Sequence, residues 1–106
     1  MKDILETIEG FEWDSGNAAK NWLKHGVSRE ECEEVFFLQP LVISEDRGHS
    51  QQENRYRVLG HTRDGRRLFL VFTLRSRSIR IISARDMNRS ERNVYENIKK
   101  NPEFQK

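Results

Sequence analysis

The hydrophobic pattern of this chain changes period at Pro40, and this change restricts the class of fold. Before Pro40, apolar residues recur three and four positions apart, as in helices with one buried side. After Pro40 they alternate with other residues, which is typical of strands; the alternating segments are 41–44, 55–62, 66–74 and 79–84. Asp64-Gly65 is a strong signal for a tight β-hairpin. Short connections of this kind predict an antiparallel meander sheet.

Residues that favour helix ends mark three helices around this sheet. Asp14 offers an N-cap for a helix over roughly 15–25, and Gly26 suits the position just after its end. Two further pairs have the spacing of capping boxes, namely Ser28 with Glu31 and Asn88 with Glu91. The order of elements predicts an α+β domain with two N-terminal helices and a C-terminal helix, packed most simply on one face of the sheet.

Charge is distributed unevenly along the chain, although the net charge is only +2. Residues 1–54 contain five basic and twelve acidic residues, a net charge of −7, whereas 55–92 contain eleven arginines and three acids, a net charge of +8. Arginine is the side chain best suited to bidentate contacts with phosphate. The pattern indicates a site for a polyanion, although a sheet with a solvated charged face would produce the same asymmetry.

Several classes of protein are excluded by the composition. No apolar run approaches the roughly 20 residues of a membrane span, and the acidic N-terminus "MKDILETIEG" does not resemble a signal peptide, so we expect a cytoplasmic protein without a membrane partner. The single cysteine, Cys32, cannot form an internal disulfide and suits a helix core. Metal-binding spacings and a phosphate-binding GxxxxGK loop are absent from the sequence, and we expect no metal and no other cofactor.

Four segments occur together in an order that is characteristic of one protein family. They read "FEWD", "KHGVSREECEEVF", "ENRYRVLG" and "RIISARDMNRSERNVYE". Spanning about residues 11–96, this ordered set resembles the BrnT toxin family. The resemblance implies a RelE-like α+β fold over a single domain, 1–106, in which residues 1–10 are an N-terminal extension.

The same resemblance implies an activity and a partner. Members of the family are ribonuclease toxins of type II toxin–antitoxin pairs, and no metal is expected in the reaction. The implied partner is a BrnA-like antitoxin with a ribbon-helix-helix DNA-binding domain, in a complex of two toxins and two antitoxins or larger. Operator DNA would then be bound only through the antitoxin, while RNA would be the substrate.

Metal-independent RNA cleavage needs a base for the 2′-OH, donors for charge on the phosphorane and an acid for the leaving 5′-oxygen. By the resemblance, the open sheet face and the strand ends hold the site, which makes Arg80 and Arg85 the leading catalytic residues. Strict alternation puts Arg77 and Arg85 on one side of the strand and Arg80 on the other, unless a β-bulge changes their direction. Arg80 could instead form a structural salt bridge, for example with Glu53 or Asp86.

Three further residues are predicted to take part in catalysis, namely Lys24, His25 and Glu53. Lys24 or His25 would transfer a proton or contact phosphate, but His25 could equally cap the end of its helix. Glu53 is either a general base or a residue that orients an arginine. His49 and His61 are weaker candidates, because polar exposure is expected in a loop and beside a hairpin turn.

The residues predicted to bind RNA are Arg55, Arg57, Arg77, Arg89 and Tyr95. Tyr95 could instead be buried against the sheet. Two other functions would use the same arginine-rich surface: a non-catalytic RNA- or DNA-binding module, and a scaffold that docks an acidic partner. Cleavage of RNA favours the enzyme, whereas binding without cleavage favours the module.

Overall fold

The structure of the protein, a computed structural model, describes residues 6–14, 16, 20, 24–46 and 54–100. Within these residues the chain forms five strands and two helices. The strands are β1 (Gly10–Phe11), β2 (Val42–Glu45), β3 (Arg55–His61), β4 (Arg67–Arg75) and β5 (Ser78–Asp86). The helices are α1 (Arg29–Val35) and α2 (Arg89–Lys100). In the described ranges, no helix is long and apolar enough to cross a membrane.

The five strands form one mixed sheet with the order β1-β5-β4-β3-β2. Strands β2 to β5 each pair antiparallel with the next, which confirms the predicted meander. Strand β1 pairs with β5 in parallel, so the sheet is not wholly antiparallel as predicted. Tight turns fix the directions of strands within a meander. The long connection between β1 and β5 fixes no direction, and tertiary packing decides it.

The predicted hairpin joins β3 to β4 through Asp64-Gly65. Gly65 has a φ of +87°, a conformation that glycine adopts without the steric cost of a Cβ. Its N–H donates to the carbonyl of Thr62 at 2.9 Å, and the N–H of Thr62 donates to the carbonyl of Arg66 at 3.0 Å. These bonds close the turn, so the register of β3 against β4 is fixed locally.

One face of the sheet forms the core together with α1. Val58, Leu70 and Phe72 point into this core and are fully buried. Val35, at the end of α1, approaches β3 so closely that a Cβ on Gly60 would overlap its Cγ1. Glycine at position 60 therefore allows the helix to pack directly against the strand.

Both predicted capping boxes are present. The Glu31 N–H donates to Ser28 Oγ at 3.1 Å, and the Ser28 N–H donates to Glu31 Oε1 at 3.0 Å. At α2, the Glu91 N–H donates to Asn88 Oδ1 at 2.8 Å and the Asn88 N–H to Glu91 Oε1 at 2.9 Å. Each box satisfies N–H groups that the first turn of a helix leaves free.

The predicted helix over roughly 15–25 lies mostly outside the described residues. Lys24 and His25 have helical backbone, and Gly26 has a φ of +64°. This left-handed conformation is the one that glycine commonly adopts after the last residue of a helix.

The C-terminal helix α2 lies against the face opposite α1, whereas the sequence predicted all helices on one face. The Tyr95 hydroxyl contacts His61, and Glu96 pairs with Arg67. His61 and Arg67 are partners in the β3–β4 ladder, and Arg67 precedes the buried Leu68. Because neighbouring residues of a strand point to opposite faces, this pair marks the non-core face. Two residues join β5 to α2, and the sequence does not specify the face toward which they turn.

Candidate functional site

A β-bulge in β5 brings Arg80 and Arg85 to the same face of the sheet. The register between β4 and β5 shifts between Val71 and Phe72, because Ile82 has no partner in the ladder. One extra residue reverses the parity of the strand beyond it. Strict alternation, which predicted the two arginines on opposite sides, is therefore wrong for this strand.

Two arginines of β3 point to the same face. Arg55 and Arg80 both pair with Thr73, one from each side, and Arg57 is two residues along β3 from Arg55. Because side chains alternate along each strand, these residues lie on the face opposite α1. We call this surface, with Arg55, Arg57, Arg80 and Arg85, the arginine face.

Arg80 and Arg85 occupy two ends of the arginine face. Arg80 pairs with Thr73 and Arg85 with Phe69, four residues away along β4. At about 3.3 Å per residue, this separation is roughly 13 Å. The two side chains are therefore placed for separate contacts along an extended polyanion.

Arg85 is held in a fixed position but stays accessible. Its Nη1 and Nη2 donate to the two carboxylate oxygens of Glu91 at 2.8 and 2.9 Å, and its guanidinium lies 4.2 Å from the centroid of the Phe69 ring. The bond from Arg85 holds the pKa of Glu91 below its usual value, while the bond from Glu91 raises the pKa of Arg85. The Arg85 side chain is still 35% exposed.

Arg80 forms a structural salt bridge, with partners other than those predicted. Its Nη2 donates to Asp14 Oδ2 at 2.9 Å, and its Nη1 lies 3.9 Å from Glu12 Oε2. The same Glu12 oxygen lies 4.0 Å from Arg75 Nη1 and accepts no hydrogen bond from the described residues. Of the partners suggested by the sequence, Asp86 pairs with Arg66 instead, and Glu53 lies outside the described residues.

The other predicted RNA-binding arginines differ in their partners. Arg57 is exposed and, within the described part of the chain, its side chain makes no ion pair. Arg77 lies in the turn between β4 and β5, and its Nη1 is 3.2 Å from Glu9 Oε1. Arg89 is exposed at the first turn of α2. Arg57 belongs to the arginine face, whereas Arg77 and Arg89 lie beyond the strands that form it.

Lys24 and His25 lie at the end of β5 and away from Arg80. His25 lowers the pKa of Asp86, after the larger effect of the bond from Arg66, so His25 and Asp86 are close. Asp86 pairs with the buried Leu68 and therefore points to the side of α1. The structure does not bring His25 onto the arginine face.

Tyr95 has the buried position that was the alternative to RNA binding. It is fully buried, its hydroxyl donates to the carbonyl of Pro40 at 2.6 Å, and burial raises its pKa to about 12. The same hydroxyl lies 2.8 Å from His61 Nδ1. Of the remaining candidates, Glu53 and His49 lie outside the described residues.

Arg66 connects several distant segments of the chain, and this role was not predicted from the sequence. Its guanidinium donates to Asp86 at 2.7 and 3.1 Å, to Glu31 at 3.1 and 3.2 Å, and to the carbonyls of Gly26 and His25 at 2.9 and 3.2 Å. We call this arrangement the Arg66 clamp. The bonds to Asp86 raise the pKa of Arg66 and lower the pKa of Asp86. The only hint of this role in the sequence was the position of Arg66 directly after the hairpin turn. Its partners come from distant segments.

Outside the arginine face, the described part of the chain offers neither a metal site nor a reactive thiol. Among the described residues, no three His, Cys, Asp or Glu side chains are grouped as a metal site requires. An apolar groove of about 220 Å³ is lined mainly by Ile8, Phe11 and Phe37. The Cys32 thiol is buried, and burial together with Glu31 raises its pKa to about 12, so it is not a nucleophile at neutral pH.

Comparison with known proteins identifies one family and finds similar solved structures. The profile of "Ribonuclease toxin, BrnT, of type II toxin-antitoxin system" matches residues 13–91. The crystal structure of the Brucella abortus ribonuclease toxin BrnT aligns with a TM-score of 0.56 at 17% sequence identity, covering 76% of this chain and 97% of that chain. A search of curated protein sequences finds no significant match. The structural likeness supports a shared fold, and the profile shows the family.

Proposed function

Because the chain belongs to the BrnT family of ribonuclease toxins of type II toxin–antitoxin systems, we propose that it is an endoribonuclease that cleaves RNA on its arginine face without a metal. The observation that carries this proposal is the convergence of Arg55, Arg57, Arg80 and Arg85 on one face through the bulge at Ile82. Guanidinium groups on a rigid sheet supply positive charge where negative charge develops on phosphate.

Arg85 and Arg80 are proposed to stabilise the phosphorane or its neighbouring phosphates. Arg85 keeps its Nε–H without an acceptor among the described residues, because its hydrogen bonds all come from Nη1 and Nη2. Phosphate could therefore bind without displacing Glu91. Arg80 is 22% exposed and would exchange part of its contact with Asp14 for a contact with RNA. The role of Arg85 rests on an accessible guanidinium edge, and the role of Arg80 rests on the exchange of a contact.

The structure supports the roles of the other predicted site residues to different extents. Arg55 and Arg57 are proposed to contact successive RNA phosphates, because they share the face with Arg80. Arg77 and Arg89, both exposed, are proposed as peripheral phosphate contacts. Lys24 and His25 at the end of β5 remain proposed contributors to proton transfer or phosphate binding, as does Glu53, for which the structure supplies no geometry. For Tyr95, burial supports a positioning role.

A type II toxin–antitoxin system implies an antitoxin partner. We propose that this partner is a BrnA-like protein with a ribbon-helix-helix DNA-binding domain, in a complex of two toxins and two antitoxins or larger. Operator DNA would then be bound only by the antitoxin. An antitoxin that covers the arginine face would inactivate the enzyme by excluding RNA.

The proposed reaction is tested by incubating purified protein with mixed-sequence RNA in excess EDTA. We expect internal cleavage that leaves 2′,3′-cyclic phosphate and 5′-hydroxyl ends. Cleavage that requires added Mg²⁺ or Mn²⁺ would contradict the metal-independent mechanism. Inducible expression, with and without the adjacent open reading frame, should give growth arrest and cleaved transcripts only in the absence of that frame.

A non-catalytic RNA- or DNA-binding module remains the second candidate. The observation that favours it is the pairing of Arg80 and Arg85 with carboxylates, because each carboxylate offsets positive charge that a catalytic arginine would supply to the phosphorane. A mobility shift without cleavage, at protein concentrations that saturate the RNA, would select this candidate.

A further inference from the structure

A short chain of hydrogen bonds fixes the proton positions of His61. The Tyr95 oxygen lies 2.6 Å from the carbonyl oxygen of Pro40 and 2.8 Å from His61 Nδ1. A carbonyl oxygen only accepts, so the single hydroxyl proton of Tyr95 must lie toward Pro40. The proton of the second bond must then come from His61. Its Nδ1 is therefore protonated, and in the neutral ring Nε2 keeps a free electron pair.

The surroundings of His61 favour this neutral form. Burial lowers its pKa, and the positive charges of Arg67 on β4 and Lys99 on α2 lower it further. Glu96 on α2 acts in the opposite direction, but its carboxylate is paired with Arg67 Nε at 2.7 Å. Among the described residues, Tyr95 completes the set of titratable groups that face the ring, and burial keeps it neutral at pH 7. These surroundings therefore favour the uncharged imidazole over the imidazolium.

The His61 ring is not fully enclosed by its neighbours. The residue is partly exposed, and Nε2 accepts no hydrogen bond from the described part of the chain. His61 ends β3 on the same side of the sheet as Arg57. Arg67 lies beside it as its partner on β4. An RNA strand that follows the arginine face toward the hairpin would reach this imidazole.

We propose that His61 is the general base of the RNA cleavage reaction and that Tyr95 is the residue that positions it. This inference rests on the proposed ribonuclease function and adds the residue that accepts the proton. His61 Nε2 takes the proton of the 2′-OH as the 2′-oxygen bonds to phosphorus. The bond from phosphorus to the 5′-oxygen then breaks, leaving a 2′,3′-cyclic phosphate. Water protonates the departing 5′-oxygen, and the proton released by His61 neutralises the hydroxide that remains.

The bonding pattern suits a base better than a purely structural link. A structural role needs only the bond to Tyr95, whereas a general base also needs an accessible lone pair near its reacting partner. A hydrogen bond at Nδ1 leaves that lone pair at Nε2 and fixes the plane of the ring. Tyr95 in turn has its own proton committed to Pro40, so it cannot reverse the tautomer.

The test uses His61→Asn, because the asparagine amide nitrogen can replace Nδ1 as the donor to Tyr95 but supplies no base. The cleavage rate is measured in a single turnover with a fluorescence-quenched oligoribonucleotide in EDTA, across a range of pH. We expect a loss of about 10²–10³-fold for His61→Asn, within the usual contribution of a general base. The wild-type rate should rise with pH through a midpoint below the ordinary histidine pKa, and the variant should lose this rise.

Two further measurements separate catalysis from structure. Affinity for a 2′-O-methyl RNA, which lacks the nucleophile, should be unchanged in His61→Asn. Tyr95→Phe should shift the pH midpoint and lower the rate less than His61→Asn does. Should the variants not fold, the ¹⁵N spectrum of the wild-type imidazole must show protonated Nδ1 at neutral pH. The opposite tautomer would overturn the proposal.

The outcomes distinguish this inference from the function on which it rests. A wild-type protein that leaves RNA intact overturns both. A wild-type protein that cleaves RNA, together with a folded His61→Asn variant that cleaves equally fast with the same pH profile, overturns only the role of His61.

Discussion

Arg66 and Arg57 lie in the same arginine-rich half of the chain but have opposite environments. A guanidinium has five N–H donors, and Arg66 directs its three nitrogens at two carboxylates and two backbone carbonyls. Arg57 is exposed and makes no ion pair within the described part of the chain. Arg85 lies between these extremes, since it pairs with Glu91 but retains its Nε–H. The number of unoccupied donors, and not the density of arginine, therefore distinguishes a binding surface from a structural clamp.

The largest effects should come from the arginine face during catalysis. Arg85→Ala or Arg80→Ala should lower the cleavage rate about 10²–10³-fold, because each removes a preorganised donor to developing charge. Single-turnover cleavage in EDTA measures this effect, and circular dichroism checks the fold. If both variants remain folded and fully active, the reaction occurs elsewhere on the molecule.

Replacing Arg66 should lower the stability of the fold, whereas replacing Arg80 or Arg85 should lower the cleavage rate. Arg66→Ala removes the hydrogen bonds that the carboxylates of Glu31 and Asp86 and two carbonyls accept from the guanidinium. Because these groups are partly exposed, we expect a loss of about 2–3 kcal/mol in the free energy of unfolding, measured in urea. Arg57→Ala is the matched control and should change that free energy by less than about 0.5 kcal/mol. Similar losses of stability in Arg66→Ala and Arg57→Ala would contradict the distinction between a structural clamp and a binding surface.

The features that could be predicted from the sequence are those formed by residues close together along the chain. The Asp64-Gly65 hairpin and both capping boxes were predicted because residues within one turn determine them. The bulge at Ile82 depends on how β5 packs against β4, so alternation alone placed Arg80 and Arg85 on opposite sides. The partners of Arg66 lie 20 to 41 residues away, and no local pattern indicates them.

Arg57 should contribute a smaller, purely electrostatic effect on RNA binding. Arg57→Ala should weaken binding of 2′-O-methyl RNA and reduce the slope of log affinity against log salt by about 1, as expected for the loss of one phosphate contact. Fluorescence anisotropy at several salt concentrations measures the slope. An unchanged slope would mean that RNA does not pass over this end of β3.

The smallest expected difference is in how the stability of the fold depends on pH under acidic conditions. The bond from Arg66 lowers the pKa of Asp86, and the bond from Arg85 lowers the pKa of Glu91. The unfolded chain therefore binds protons first as the pH falls, and these pairs stabilise the fold fully only above the ordinary carboxyl pKa values. Stability should decline as the pH falls from those values toward the lowered ones. This decline should be shallower in Arg66→Ala, as measured by thermal unfolding at each pH, and an equally steep decline would exclude the clamp as its source.

The most direct test of the account follows the arginine Nε–H signals by NMR while 2′-O-methyl RNA is added. This RNA occupies the site without being cleaved, so each guanidinium reports its own contact. The account predicts that the signals of Arg57 and Arg85 shift with increasing RNA while the signal of Arg66 stays in place. A shift of Arg66 with no change at Arg57 and Arg85 would contradict it, because RNA would then bind at the clamp and not on the arginine face.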